Sequence, residues 1–303
     1  MRLANPIYDV VFKYLMEDTE IARRLLGRII GEEITEIVVR PQESSRKSAK
    51  YSLTIYRLDF KATIKTKEGE YKTVLIELQK AKQEGDLLRF RRYVGENYRK
   101  EDEILIENGE MEKVILPIIT IYFLGFRMPP IKTSILKVNR VYKDLITNRE
   151  LDVRTEFIEK LTHDSYVILI PELPLKERTE LERLFKVFNQ SYKLGADDKL
   201  LEIAYEELTN DELLLQIAER LRRAAMDEEV LRGIEIEEEV ESTIDKFVRE
   251  KEAAEEKNVE LKGENVELKG ENVELKERLQ KREKDLEELQ RRMEELKKQL
   301  EDD

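Results

Sequence analysis

The hydrophobic pattern of residues 74–79 predicts a β-strand with one apolar face and one partly polar face. Glu77 and Gln79 are two positions apart and therefore share a face, because side chains alternate along a strand. Residues 51–64 have a similar pattern and predict a second strand. The polar segment 66–70 between them contains a glycine, which is typical of a hairpin turn. The two strands are therefore predicted to pair as an antiparallel hairpin.

The register of this hairpin decides which polar residues meet. If the chain folds back about Glu68, Asp59 lies directly opposite Glu77, with Cβ atoms roughly 5 Å apart. Two carboxylates at that distance repel each other unless a proton or a divalent cation lies between them. A slip of one residue would move one of them to the other face of the sheet. Without that register, both residues are explained as the solvated face of an amphipathic strand.

The rest of the chain up to residue 234 alternates between helical and strand patterns. Apolar residues at helical spacing predict an amphipathic helix over residues 8–26. Further along, the pattern predicts a polar loop at 41–48, a helix at 84–104, an apolar strand at 114–123, short strands at 140–142 and 166–170, and mainly helix from 175 to 231. Alternating elements of this kind predict an α/β fold with a mixed central sheet flanked by helices.

A seven-residue repeat marks the C-terminal part of the chain. The sequence NVELKGE begins at Asn258 and again at Asn265, and a near copy begins at Asn272. With these asparagines at heptad position a, leucine occupies position d in the same three heptads, a combination that favours a parallel dimer. Residues 240–300 are therefore predicted to form a parallel homodimeric coiled coil. The alternative is a long single helix held by Glu–Lys pairs four residues apart.

Composition excludes several kinds of site. The chain of 303 residues has no cysteine and one histidine, which excludes disulfides, thiol nucleophiles and zinc sites built from Cys or His clusters. No apolar run is long enough to span a membrane, and the N-terminus lacks the apolar region of a signal peptide. We therefore expect a cytoplasmic protein without a membrane partner.

The net charge of −12 is unevenly distributed. Residues 1–144 hold 27 Lys and Arg against 22 Asp and Glu, a net +5. Residues 145–234 hold 13 against 20, a net −7, and residues 235–303 hold 15 against 25, a net −10. The region with the predicted hairpin is thus basic within an acidic chain, which is compatible with binding a polyanion.

Several ordered motifs resemble the PD-(D/E)xK nuclease-like transposases, also called Rpn-like recombination-promoting nucleases. The motifs are NPIYDVVFKYLM at residues 5–16, RLDFKATI at 57–64, IELQKAKQ at 76–83 and LLRFRRYVGENY at 87–98. The resemblance covers about residues 1–190. It implies a restriction-endonuclease-like core and a metal-dependent DNA endonuclease connected with recombination or mobile elements. The implied division is a nuclease-like domain at 1–174, a helical region at 175–234 and the coiled coil at 235–303.

The resemblance assigns roles to individual residues. Asp59 and Glu77 would bind Mg²⁺ or Mn²⁺, with the backbone carbonyl of Leu78 as a further ligand. Asp9, on the first helix, becomes a candidate third acidic group, although a surface ion pair with Lys13 also explains it.

Gln79 is the point of departure from the wider superfamily, in which lysine usually occupies this motif position. Its amide can orient a water molecule but supplies no charge. The alternative function is therefore a catalytically weak or inactive nuclease-fold module that binds DNA or protein and is assembled by its coiled coil.

Basic residues near the motifs are candidate DNA contacts, and a solvated basic face explains each of them equally well. They are Lys13, Lys80, Lys82, Arg89 and Arg92. His163 has no evident partner in the sequence and receives no role.

Overall fold

The computed structural model describes residues 1–39, 58–65, 71–81, 87–105, 109–195 and 197–301. The predicted loop at 41–48, the predicted turn at 66–70 and the first part of the predicted strand at 51–64 lie outside these residues. Contacts divide the chain into two compact units, Met1–Glu238 and Glu239–Asp303.

The elements follow one another in an order that mixes short strands and helices. They are β1 (Arg2–Ala4), α1 (Asp9–Met16), α2 (Thr19–Ile30), β2 (Glu33–Val39), β3 (Leu58–Lys65), β4 (Tyr71–Ala81), α3 (Leu87–Tyr98), β5 (Asp102–Leu105), β6 (Met111–Val114), β7 (Ile118–Leu124), β8 (Ile135–Val138), β9 (Tyr142–Asp144), β10 (Arg149–Leu151), α4 (Glu156–Leu161), β11 (Asp164–Leu169), α5 (Glu180–Leu184), β12 (Lys193–Leu194), β13 (Asp197–Glu202), α6 (Tyr205–Leu208), α7 (Glu212–Ala224) and α8 (Glu228–Glu301).

A six-stranded sheet forms the centre of the first unit, in the order β2-β3-β4-β7-β11-β8. The pairs β4–β7 and β7–β11 are parallel, and the other pairs are antiparallel. The prediction of an α/β fold with a mixed sheet is therefore confirmed. Strands that pair in parallel need a long connection, and α3 lies in the connection between β4 and β7.

The two faces of this sheet are covered by different helices. On the first face, Phe60, Ile76 and Phe123 are fully buried and belong to one cluster with side chains of α1, α2 and α7. Phe12 of α1 packs edge-on against Phe123, with ring centroids 5.0 Å apart. On the second face, Phe90 of α3 forms a smaller cluster with apolar residues of β7 and β11.

The predicted helix over residues 8–26 is wrong in its continuity, because the structure has two helices there. α1 ends at Met16, and α2 begins after Asp18, whose carboxylate accepts a hydrogen bond from the amide of Ile21. This cap satisfies an amide at the helix start and makes a new helix at this point favourable. Gly31 ends α2 with a φ of 78°, a value that glycine adopts without strain.

Two further boundaries differ from the predictions. The predicted helix at 84–104 ends at Tyr98, because residues 102–105 pair with β6 as a strand. The predicted strand at 114–123 is divided into β6 and β7, with Pro117 between them. Proline has no backbone amide to donate and therefore suits a break between strands.

The predicted helical region at 175–234 also contains strand structure. β13 pairs with β1 in antiparallel register, with Leu201 opposite Leu3, and both side chains are fully buried. The local pattern could not show this, because the strand partner lies almost 200 residues earlier in the chain. The N-terminal strand and this region therefore share one core.

α8 is one continuous helix whose first turns belong to the first unit. Val230 and Ile234 are buried there, and the Glu237 carboxylate accepts hydrogen bonds from the amides of Asp9 and Val10. In the second unit α8 continues through the seven-residue repeat, so the prediction that this repeat is helical is confirmed. No described helix is long and apolar enough to cross a membrane.

Candidate metal and nucleic-acid site

The predicted register of the β3–β4 hairpin is confirmed: Asp59 lies directly opposite Glu77. The next pair along the ladder is Phe60 with Ile76, and both of these side chains are fully buried on the first face of the sheet. Because faces alternate along a strand, positions 59 and 77 belong to the second face. The register thus places two acidic residues opposite each other on neighbouring inner strands of the sheet.

The row that contains this pair continues across the sheet. Glu77 is the register partner of Thr120 on β7, and Thr120 is the partner of Ser165 on β11. Thr120 is completely buried, and its hydroxyl donates a hydrogen bond of 2.7 Å to Ser165 Oγ. Sequence reasoning missed both hydroxyls. The available signal was a threonine inside the apolar strand IITIYFL.

The adjacent row on the same face contains Gln79, which is the register partner of Tyr122 on β7. The ring of Phe90 on α3 lies against the ring of Tyr122, with centroids 5.2 Å apart. Helix α3 therefore packs over the face to which positions 59, 77 and 79 belong. Phe90 itself is buried in the smaller apolar cluster on this face.

His163 contacts the C-terminal end of α3. Its Nδ1 forms a hydrogen bond of 2.6 Å with the hydroxyl of Tyr98, the last residue of that helix. Burial lowers the pKa of His163, and the positive charge of Arg140 acts in the same direction, while Asp164 opposes them. The imidazole is thus held in its neutral form more strongly than in water. Sequence reasoning gave this residue no role because its partner lies 65 residues away.

Asp9 begins a helix that packs on the first face, since Phe12 of the same helix contacts Phe123. The structure therefore places the helix of Asp9 and the pair of positions 59 and 77 on opposite faces of the sheet. Lys13 forms an ion pair of 3.5 Å with Glu17, four residues later. The role of Asp9 as a third acidic group stays a prediction.

The basic candidates lie in several environments. Lys80 occupies the position in β4 that pairs with Phe123, and Lys82 lies outside the described residues. Arg89 is part of α3, and Arg92 is exposed on the same helix. Exposed residues also include Arg91 and Arg99, whereas Val94 is buried together with Phe90. One side of α3 thus packs on the sheet and the other presents arginines.

The donor types at the paired positions match a hard divalent cation, which prefers carboxylate and carbonyl oxygens. Leu78 lies between Glu77 and Gln79 and pairs with Leu58 on one side and Ile121 on the other. Among the side chains that the structure describes, no group of three His, Asp or Glu could hold a metal ion, and those of Asp59 and Glu77 are outside that set. No protein-family model, curated protein or solved structure matches the chain.

Proposed function

We propose that this protein is a divalent-metal-dependent DNA endonuclease that hydrolyses phosphodiester bonds, with a restriction-endonuclease-like core around β3 and β4. The observation that carries the proposal is the pairing of Asp59 with Glu77 within the central sheet. Neighbouring carboxylates repel each other when both are ionised, and a cation between them removes that repulsion. The two acidic positions share the face of the sheet opposite the apolar one, and their pairing therefore supports a cation site between them.

The residues of this row would have distinct roles. Asp59 and Glu77 would supply oxygen ligands to Mg²⁺ or Mn²⁺, with the carbonyl of Leu78 as a further ligand. A bound ion of this type lowers the pKa of a coordinated water and neutralises charge on a phosphate. Gln79, one row along, would orient water through its amide. Asp9 would complete an acidic trio only if its carboxylate reached round the end of the sheet.

Charge supports DNA as the substrate. The exposed side of α3 presents Arg91 and Arg92, and the exposed Arg99 directly follows the helix. Arginine contacts phosphate oxygens through paired hydrogen bonds, so this side of α3 would hold the DNA backbone. Arg89, Lys13, Lys80 and Lys82 are the remaining candidate phosphate contacts.

The part of α8 that contains the seven-residue repeat, residues 240–300, is called the heptad helix, and its pattern supports assembly into a dimer. Leu261, Leu268 and Leu275 occupy position d, and about half of each side chain is exposed in a single chain. A second parallel helix would cover them, and the asparagines at position a would then meet each other. We therefore propose a parallel homodimer through residues 240–300, which places two nuclease domains in one particle.

The test is the nicking of supercoiled plasmid in the presence of Mg²⁺ or Mn²⁺. Asp59→Asn and Glu77→Gln keep the side-chain shape and remove one charge each, so each should lower the cleavage rate by about 100-fold or more. Glu36→Gln is a matched control, because Glu36 lies on the neighbouring strand β2 opposite Thr63. Full nicking by both site variants, alongside native activity that EDTA abolishes, would exclude the pair as the metal site.

Gln79 favours a second candidate, a nuclease-fold module that binds DNA or protein without cutting. A neutral amide at this position provides no charge for the transition state. This candidate predicts that the native protein retards duplex DNA on a gel but leaves plasmid intact with either ion. Cleavage by the native protein that disappears in Asp59→Asn would contradict it.

A further inference from the structure

Two hydroxyl groups lie side by side on the second face of the central sheet. Thr120 of β7 is completely buried, and its hydroxyl donates a hydrogen bond of 2.7 Å to Ser165 Oγ on β11. Further along the same two strands, Leu124 and Leu169 are buried in the apolar cluster that contains Phe90. Burying a hydroxyl is unfavourable unless it is hydrogen-bonded, so Thr120 depends on its neighbours in the sheet.

The hydroxyl pair has one proton more than the hydrogen bond between its members uses. Two hydroxyls carry two protons, and each oxygen can also accept. When Thr120 donates to Ser165, the remaining proton lies on Ser165, which is half-buried. Because a hydroxyl proton rotates about the C–O bond, the reverse arrangement is available at the same distance between the two oxygens. In that arrangement Ser165 donates to Thr120, and Thr120 donates to a third group.

Strand order shows where the third group lies. Strands β4 and β11 flank β7, so the row neighbours of Thr120 are Glu77 on one side and Ser165 on the other. Adjacent strands are about 5 Å apart, a gap that a glutamate side chain can span. Position 77 has Asp59 as its partner on the next strand, β3. Thr120 therefore lies on the side of position 77 that is away from the second acidic position.

The two neighbours of position 77 act on a negative charge there in opposite ways. An ionised Asp59 repels a second carboxylate, whereas a hydroxyl that donates to that carboxylate stabilises its charge. Donors of this kind also orient the carboxylates that ligate metal ions, and their loss weakens metal binding. The hydroxyl pair thus has the chemistry of a support for a metal ligand.

We propose that Thr120 is a positioning residue of the metal site. Its hydroxyl donates to the carboxylate of Glu77 and holds that carboxylate ready for the cation, and Ser165 holds the hydroxyl of Thr120 in place. This assignment rests on the proposed function, because Glu77 is one of the proposed metal ligands. It adds a polar support from β7 and β11 to ligands that come from β3 and β4.

The experiment measures Mn²⁺ binding to the full chain without DNA, with unbound Mn²⁺ followed by electron paramagnetic resonance. Thr120→Val replaces the hydroxyl with a methyl group and should weaken binding by about 10- to 100-fold, the usual effect of losing a partner of a metal ligand. Thr120→Ser keeps the hydroxyl and should bind nearly as tightly as the native chain. Thr63→Val is the matched control, because Thr63 lies on the same face of β3 and pairs with Thr73, away from the acidic pair.

A double variant shows whether Thr120 acts through Glu77. Glu77→Gln should weaken Mn²⁺ binding by itself, and adding Thr120→Val should have little further effect, because the carboxylate that the hydroxyl supports is already absent. Urea unfolding of each variant identifies any that are not folded. If Thr120→Val does not fold, Ser165→Ala removes the support of Thr120 from the other side and should weaken Mn²⁺ binding by a smaller factor.

Three results would overturn the assignment alone. Native affinity in folded Thr120→Val would mean that the hydroxyl does not support the ligand. Equal losses in Thr120→Val and Thr120→Ser would mean that the site needs the packing of threonine and not its hydroxyl. Full additivity in the double variant would mean that Thr120 acts independently of Glu77. A native chain that binds no Mn²⁺ would instead overturn both this assignment and the proposed metal site.

Discussion

At the scale of single residues, position 79 decides how much charge the candidate site can offer to a phosphate. Gln79 shares a face with Glu77 and pairs with Tyr122, in a row next to the acidic pair. An amide at this position can hold water but cannot offset the negative charge that develops on phosphate during attack.

We expect Gln79→Lys to raise the rate of plasmid cleavage, by roughly tenfold, because an ammonium group near the phosphate stabilises that charge. Gln79→Met, which is of similar length and uncharged, is the control and should not raise the rate. A lower rate for the lysine variant, with unchanged DNA affinity, would show that the site is built around the amide.

The pKa of His163 can be measured directly, because it is the single histidine of the chain. It reports on the environment at the C-terminal end of α3. Burial lowers its pKa in the folded state. The unfolded chain therefore binds the proton more readily, and the contribution of His163 to stability is present above about pH 6.5 and is lost as the pH falls through the folded pKa.

One imidazole resonance should thus titrate in proton NMR spectra, with a midpoint below that of the same resonance in urea-unfolded protein. In addition, the free energy of unfolding should fall less between pH 7.5 and 5.5 in His163→Asn than in the native chain. A folded midpoint at or above the unfolded one would show that the imidazole is not held in a buried, cationic environment.

At the scale of elements, the start of α8 packs closely against α1 at Gly233, whereas the middle of α8 has free space around Gly263. A Cβ atom at Gly233 would lie 2.7 Å from Val10 Cγ2 of α1 and 3.2 Å from Val10 Cβ. A Cβ atom at Gly263, in the same helix, would meet nothing within 4 Å. The same substitution should therefore have opposite effects at these two positions.

Gly233→Ala should lower the free energy of unfolding by about 1–3 kcal/mol, because the added methyl group forces α1 and α8 apart. Gly263→Ala should stabilise the helix by about 1 kcal/mol, because alanine has the higher helix propensity. Urea unfolding followed by circular dichroism measures both. Equal changes at the two positions would contradict the close contact between Gly233 and Val10.

At the scale of the whole molecule, the proposed coiled coil of residues 240–300 predicts a dimer. Light scattering should give twice the chain mass of 36.0 kDa at micromolar concentration. In a parallel dimer in register, identical a positions face each other, so Asn265→Cys should oxidise readily to a disulfide-linked dimer. Glu267→Cys, at position c outside the seam, is the control and should oxidise about tenfold more slowly. A monomeric mass, or equal oxidation at both positions, would contradict the parallel dimer.

The sequence by itself determined the local features of this protein. The β3–β4 register followed from strand alternation and a short polar turn, because both signals are contained within one short stretch of chain. The heptad helix followed from an explicit repeat for the same reason. The position of Asp59 opposite Glu77 was therefore predictable from the sequence.

Only the tertiary structure decided which distant elements meet. Thr120 and Ser165 join the row of Glu77, Tyr98 meets His163, and β13 pairs with β1, all over separations that no local pattern encodes. The position of α1 on the face opposite the acidic pair also depends on packing of Phe12 against Phe123. Local periodicity specifies which residues share a face, whereas strand order and the competition for buried surface specify which faces come together.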